Sequence, residues 1–371
     1  MEQEDMKGDE VKIIQVCPRF LPHIGGVEKH VYEISKRLAK KHKVIVYTTD
    51  PSGELPKNEK IDGITIKRFR SFAPNEAYFF SYGLFSSLKK ESCDVLHVHC
   101  FQALPSILAI EAAKKSQIKK IIFTPHFHPN GGTISRNFLR KFYDSYQKRA
   151  FLKSDKIICI SGREKEILSD RFQIEQQKMS VIPNGIDIEK FRNLPNIKKT
   201  NNFKILYVGR LEKYKRIHWI LIALKRIIER NYDWKFSLTI VGKGPFEKQL
   251  LKFCKRLRIN KFVTFKRNLT FDELLDEYNS CDVFLMPSEY EAFGITILEA
   301  LACNKPVIVN RSIPMSNLFS KHGYLISNIT DIENALMDFL HNGNRFIENF
   351  DFKSFDWNKI TDQTLKIYEE V

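Results

Sequence analysis

Residues 283–310 read VFLMPSEYEAFGITILEALACNKPVIVN, and the alternation within them decides the fold. The apolar run 283–286 predicts a short buried strand, which Pro287 and Ser288 break into a polar turn carrying Glu289 and Glu291. Beyond Gly294 the pattern predicts a helix over 295–302, followed by a second apolar run at 306–309. Strand, loop, helix, strand is the repeating unit of a parallel α/β sheet, where ligands bind at the carboxyl ends of strands and the amino ends of helices. Glu291 lies in the loop and Glu299 roughly two turns along the helix, so the two acids can address two parts of one polyol ligand. Gly294 lets a backbone with free N–H groups approach that ligand closely. On spacing alone a plainer reading stays open, in which Glu291 favours a helix amino terminus and Glu299 is solvated.

Composition bounds the rest. A chain of 371 residues is long for one domain and natural for two, and 43% hydrophobic content is that of a globular protein. No stretch approaches the roughly 18–20 apolar residues that a spanning helix needs. The opening MEQEDMKGDE is acidic and polar, unlike a signal peptide, so a cytoplasmic location is expected. Seven cysteines without a C-x-x-C pair read as small buried hydrophobes in a reducing compartment. The net charge of +16 is shared by the two halves and suits a partner that is a nucleotide diphosphate, an anionic lipid surface or nucleic acid. The last is disfavoured, because no helix-turn-helix, RNP or zinc-finger spacing accompanies the charge.

Outward from the deciding stretch, strands and helical patterns alternate. A strand at 12–17 runs into Gly25-Gly26 and a helix over 27–40, an arrangement ready for phosphate but lacking G-x-G-x-x-G, which disfavours a dinucleotide oxidoreductase. Further strands are expected near 43–49, 64–69, 94–99, 120–124, 156–160 and 180–183. His97 and His99 point to one face of their strand while Cys100 faces the other way, so a packed pair is favoured over a metal site. The strand at 120–124 ends in a loop carrying His126 and His128. Residues 136–153 hold six basic residues against one acid beside an apolar side, so this segment either packs on its own domain or rests on an anionic membrane. The turn at 182–187, IPNGID, precedes a polar, proline-broken stretch to residue 202 that marks a domain boundary.

Beyond that boundary, a strand at 203–208 leads into Gly209-Arg210-Leu211-Glu212-Lys213-Tyr214-Lys215-Arg216. Arg210 and Lys215 can converge on one diphosphate, the first as a fork and the second as a point charge; an exposed basic loop is the alternative. A strand at 238–241 then turns through Gly242-Lys243-Gly244-Pro245, with Pro245 suited to a first helical position.

The run from Glu291 to Glu299, together with GGVEKH, IPNGID and GRLEKYK, resembles family 4 glycosyltransferases, and the likeness covers about residues 11–370. It implies a GT-B fold: two Rossmann-like α/β domains facing each other across a cleft, with the C-terminal helix crossing back to the first. The implied domains are 1–187 plus helix 357–371, on the acceptor side, and 188–356, binding the nucleotide sugar. The resemblance further implies that Arg210 and Lys215 neutralise the leaving diphosphate and that Glu291 and Glu299 hold the donor sugar and the ribose. It places His126 beside the sugar, and assigns donor contacts to Gly25, Gly26, Gly242, Gly244, Phe293, Gly294 and Ile295. Asn304 and Arg216 stand where the family usually has glycine.

The implied reaction is retaining transfer of a hexose from a nucleotide-diphosphate sugar to a glycan or lipid-linked acceptor. The sequence contains no D-x-D, so neither a metal ion nor another cofactor is expected, and cations are left to stabilise the leaving group. Peripheral contact with an anionic membrane is compatible with this, and no nucleic acid is expected. A GT-B epimerase or hydrolase and a non-catalytic basic binding protein are the alternatives.

Overall fold

The computed structural model describes residues 10–23, 25–73, 80–101, 103–127, 147–192, 202–230, 235–346 and 349–370. His128 and most of the basic segment 136–153 therefore lie outside the described residues; only 147–153 are seen, and they are helical. Two compact units emerge: residues 1–185 with 354–371, and residues 186–353.

The first unit is built on β1 (Lys12–Val16), β2 (Lys43–Asp50), β3 (Asn58–Ile61), β4 (Ile64–Arg70), β5 (Ser92–His99), β6 (Gln117–Thr124), β7 (Lys156–Cys159) and β8 (Met179–Val181), in the order β3-β4-β2-β1-β5-β6-β7-β8. All neighbours are parallel except β3 and β4. That antiparallel edge hairpin was not anticipated. Its signal was Asp62-Gly63, both at positive φ (47° and 80°), the turn whose twist matches paired strands. Ile14 and Val16 of β1 join one apolar cluster and Ile13 the opposite one, so the sheet is covered on both faces. Burial on both sides is why its strands read as nearly unbroken apolar runs.

The helix Trp357–Glu369 packs within this first unit. Trp357 is fully buried and lies so close to Gly185 that a Cβ there would stand 2.4 Å from the indole, which explains the glycine of IPNGID by packing.

The second unit holds β9 (Phe203–Val208), β10 (Phe236–Val241), β11 (Val263–Lys266), β12 (Val283–Met286), β13 (Val307–Asn310) and β14 (Gly323–Ile326). They are all parallel, in the order β11-β10-β9-β12-β13-β14. Counted within the unit this is 3-2-1-4-5-6, the Rossmann order, with its topological switch between β9 and β12. The helix Ile295–Ala302 ends in a Schellman motif: Asn304 is left-handed (φ 54°), its N–H donates to the Leu301 carbonyl, and that of Lys305 donates to the Ala300 carbonyl. Asparagine thus supplies the turn that glycine would.

Candidate functional site

The switch-point rule directs attention to the loops leaving β9 and β12, and those loops hold Arg210, Lys215, Glu291, Phe293 and Gly294. Lys215 and Glu291, which are 76 positions apart, meet there: Lys215 Nζ lies 2.6 Å from both carboxylate oxygens, and both side chains are buried. A buried ion pair of this kind persists only when each charge has its partner. Backbone bonds tie the loops together, as the Glu289 N–H donates to the Tyr214 carbonyl and the Ser312 hydroxyl to the Glu289 carbonyl.

Arg210 differs. Its side chain is 72% exposed and touches Glu212 at 3.1 Å, so it can move toward an incoming anion. The half-buried Tyr214 hydroxyl has a raised pKa, first from burial and then from a balance of Lys215, Glu291, Glu212 and Arg210, which places all four charges around one ring.

Glu299 is not the solvated acid of the plainer reading. It is buried on its helix, and the Tyr278 hydroxyl donates to its Oε2 at 2.9 Å. Tyr278 comes from the helix Phe271–Ser280, which a Thr270–Glu273 capping box starts. Burial, and then the Glu299 charge, push the Tyr278 pKa well up, so it remains a donor. Gly294 sits at φ 93° ahead of the helix Ile295–Ala302; Phe293 is buried and Ile295 half-buried.

Gly242 and Gly244 have a packing reason of their own. A Cβ on Gly242 would fall 2.0 Å from the Gly209 carbonyl oxygen and one on Gly244 2.3 Å from that of Leu211. Their absent side chains let the loop after β10 lock onto the loop that carries Arg210, where the Leu211 N–H donates to the Lys243 carbonyl at 2.9 Å.

Arg216 is left-handed (φ 53°), which accounts for glycine at that position elsewhere. The arginine is held by stacking on Trp219, 4.4 Å from the ring centre, and by Glu289 at 3.2 Å.

In the first unit the switch falls between β1 and β5, and the candidate residues again cluster at strand ends. Gly25 caps the helix Gly26–Leu38 with extended backbone, and nothing lies within 4 Å of where a Gly26 Cβ would stand. Neither strain nor crowding explains glycine at 26.

His126 follows β6 at φ 47° and is buried, with Nε2 3.4 Å from His99 Nδ1. His30, from the helix Gly26–Leu38, packs edge-on against both rings. The ligand nitrogens of His30, His99 and His126 lie within 4.8 Å of one another, the one such group among the described residues. The ring centres of His99 and His126 are 5.7 Å apart, which leaves the two nitrogens on the line between the rings. That is N–H···N geometry; two ligands of one tetrahedral zinc, each bonded at about 2.0–2.1 Å, would instead aim at a point off the line.

Burial keeps His30, His97 and His99 neutral. It lowers the His30 pKa to about 4, with the nearby Asn184 side chain opposing part of the effect, and it holds His97 and His99 well below the usual range. No His30 ring nitrogen makes a well-formed hydrogen bond, and neither does Asn184 Oδ1; a small rotation would pair them.

Glu164 supports the loop of His126. Its two oxygens accept from the Phe127 N–H (2.5 Å) and the Ile160 N–H (2.6 Å), while burial outweighs both and raises its pKa to about 7.

Residues 24–190 match the family described as Glycosyltransferase Family 4, and residues 187–350 match Glycosyl transferases group 1. The Escherichia coli UDP-Gal:alpha-D-GlcNAc-diphosphoundecaprenol alpha-1,3-galactosyltransferase is 30% identical over 68% of this chain and 67% of its own. The chain belongs to glycosyltransferase family 4. Like its relatives in that group, it is a nucleotide-sugar-dependent transferase.

Solved structures agree on the GT-B fold. Sucrose-phosphate synthase from Thermosynechococcus elongatus superposes with a TM-score of 0.77 at 18% identity over 97% of this chain and 99% of its own. An Anabaena protein in complex with UDP-glucose gives 0.75 at 16% identity over 98% and 100%.

Within this family 4 chain, sequence reasoning missed Tyr278, Glu164 and His30. Only Glu164 carried a local signal, the Ser161-x-x-Glu164 spacing of a capping box. Ser161 does cap the helix Gly162–Phe172, but the glutamate spends its oxygens on the Phe127 and Ile160 amides instead.

Proposed function

We propose that this chain transfers a hexose from a nucleotide-diphosphate sugar to a hydroxyl of a glycan or lipid-linked acceptor, with retention of anomeric configuration and without a metal ion. The observation that carries the reading is the buried Lys215–Glu291 pair at the switch point, beside an exposed Arg210. When a sugar diphosphate enters, Lys215 exchanges its carboxylate partner for phosphate oxygens, and Glu291 is released to accept from sugar hydroxyls. Arg210 then closes on the diphosphate as a fork. Negative charge grows on the leaving group as its bond to the anomeric carbon breaks, and fixed cations in a partly desolvated site stabilise that charge most.

The acceptor oxygen forms its bond to the anomeric carbon on the face that the diphosphate leaves, and the departing phosphate takes the acceptor proton. Glu299, held by Tyr278, is assigned to the ribose, and His126 to the transferred sugar. The backbone at Gly294 and Ile295, packed by Phe293, and at Gly25, Gly26, Gly242 and Gly244 is assigned to phosphate and nucleotide contacts.

Support for a nucleotide-sugar donor comes from the Anabaena structure with UDP-glucose, and support for a lipid-linked acceptor from the name of the Escherichia coli relative. Among the described residues no helix is long and apolar enough to cross a membrane; action at a cytoplasmic membrane surface, through anionic lipid, is part of the proposal.

The test is a thermal-shift screen of UDP-, GDP- and ADP-sugars, followed by NMR of the product in excess EDTA. A cognate donor at 100 times its Kd should stabilise by about 2.7 kcal/mol. The anomeric coupling of a new glycoside should match that of the donor, at an undiminished rate. Inverted product refutes retention, arrest by EDTA refutes metal independence, and free or epimerised sugar with no glycoside refutes transfer.

A further inference from the structure

A single line of hydrogen bonds crosses the interior of the first unit and ends at His126. His97 bridges Thr124 Oγ1 (Nε2, 2.7 Å) and the Tyr368 hydroxyl (Nδ1, 2.7 Å). Gln15 Nε2 donates to the same hydroxyl at 3.1 Å, and Gln15 Oε1 meets His99 Nε2 at 2.7 Å. His99 Nδ1 then faces His126 Nε2 at 3.4 Å. Gln15, His97, His99 and Thr124 are fully buried and Tyr368 nearly so.

With the Gln15 amide nitrogen donating to Tyr368, proton counting fixes the direction of this line from Gln15 to His126. A neutral imidazole has one N–H and one lone pair, and an amide oxygen only accepts. Because the Gln15 amide nitrogen donates to Tyr368, its oxygen must receive the His99 Nε2–H, which leaves His99 Nδ1 as a lone pair. Only a donor can face it, so the hydrogen between the two rings belongs to His126 Nε2. At the other end the Tyr368 hydroxyl accepts from Gln15; whether it also gives its proton to His97 Nδ1, with the His97 Nε2–H going to Thr124, or accepts the His97 Nδ1–H while Thr124 donates to Nε2, the His99 end is unchanged.

We infer that Tyr368, Gln15 and His99 form a relay of positioning residues that holds His126 in its Nε2–H tautomer. The consequence for catalysis rests on the reading that His126 meets the transferred sugar: in the neutral ring its Nδ1 is then the acceptor, and the enzyme does not wait for a minor tautomer. Tyr368, on the C-terminal helix, is the anchor. Without its hydroxyl the Gln15 amide nitrogen loses its acceptor, the amide can turn over, and both tautomers of His99 and His126 become accessible.

The test uses the full chain labelled with 15N-histidine, with long-range 1H–15N spectra of the imidazole rings and His126 peaks identified by their loss in His126→Gln. Wild type should show His126 protonated on Nε2 alone. Tyr368→Phe, which keeps the ring and removes the hydroxyl, should shift both His126 nitrogens toward averaged values. It should also lower kcat by about tenfold or more through misplacement, with the donor KM within about twofold. Gln15→Met is the second variant, should Tyr368→Phe fail to fold, and should act alike. A single Nε2–H tautomer persisting in either folded variant, or a kcat that falls only in step with the folded fraction, overturns the relay. A tautomer change in a protein that transfers sugar from no nucleotide donor leaves the relay standing and removes the functional reading instead.

Discussion

The two units solve the same topological problem with opposite polar chemistry. Each is a largely parallel sheet with candidate residues at its switch point, yet the polar groups buried behind the site are neutral in the first and charged in the second. Gln15, His97, His99, Thr124 and Tyr368 share protons among uncharged groups, and burial holds the histidines well below their usual pKa. Lys215 and Glu291 instead keep full charges in contact. A neutral network fixes the direction of hydrogen bonds, which suits orienting a ring. A buried ion pair stores a cation that an anionic ligand can claim, which suits stabilising a leaving group. The contrast teaches that similar folds can divide orientation and charge between them.

The largest expected effect breaks the charged side. Lys215→Ala leaves Glu291 buried without its cation, and should destabilise the second unit by about 3 kcal/mol or more. It should also lower turnover by about 10²–10³. Chemical denaturation and initial rates check this; an unchanged midpoint would mean the pair is not buried as described.

The next sharpens the neutral side. His30, His97 and His99 have folded pKa values depressed below about 6.5, so the stability they contribute is present above that pH and is lost as pH falls through their folded values, about 4 for His30. Glu164 runs the other way: raised from 4.5 to about 7, its contribution is full below pH 4.5 and is lost as pH rises through 7. Between pH 6.5 and 4.5 three histidines oppose one glutamate, so the first unit should weaken as pH falls. Trp357 is the first unit's one tryptophan. In a Trp219→Phe, Trp234→Phe background its fluorescence should therefore report a denaturation midpoint that falls from pH 7 to pH 5. A flat midpoint would show that the cluster charges freely.

The smallest effect concerns only a turn. Asn304→Ala places a Cβ-bearing residue without a local polar side chain at φ 54° and should lower stability of the second unit by about 1 kcal/mol, whereas Asn304→Gly should not lower it. Thermal melts of the two variants decide it.

Much of this was legible because it is local. The strand, loop and helix of 283–302 follow from apolar period and two breakers, which put Glu291 in the loop and Glu299 along the helix; Arg210 and Lys215 were placed in a loop after a strand, and the family resemblance gave all four their roles. Pairing across the chain was not legible. Gln15 and Tyr368 are 353 positions apart, and each looks like an ordinary strand or helix residue until the sheet and the C-terminal helix bring them together. The same holds for Tyr278 beside Glu299 and for Gly242 and Gly244, whose glycine is demanded by a neighbouring backbone. The β3–β4 hairpin had a local signal in Asp62-Gly63, but its edge strand Asn58–Ile61 is NEKI, which lacks the apolar run of a buried strand.

Arg210→Ala offers the most direct measurement, because an exposed side chain can be removed without disturbing the core. At saturating donor, the variant should retain the wild-type melting temperature while kcat for glycoside formation falls about 10²-fold. Wild-type turnover in a folded Arg210→Ala enzyme would contradict the assignment of the leaving group to the loop after β9.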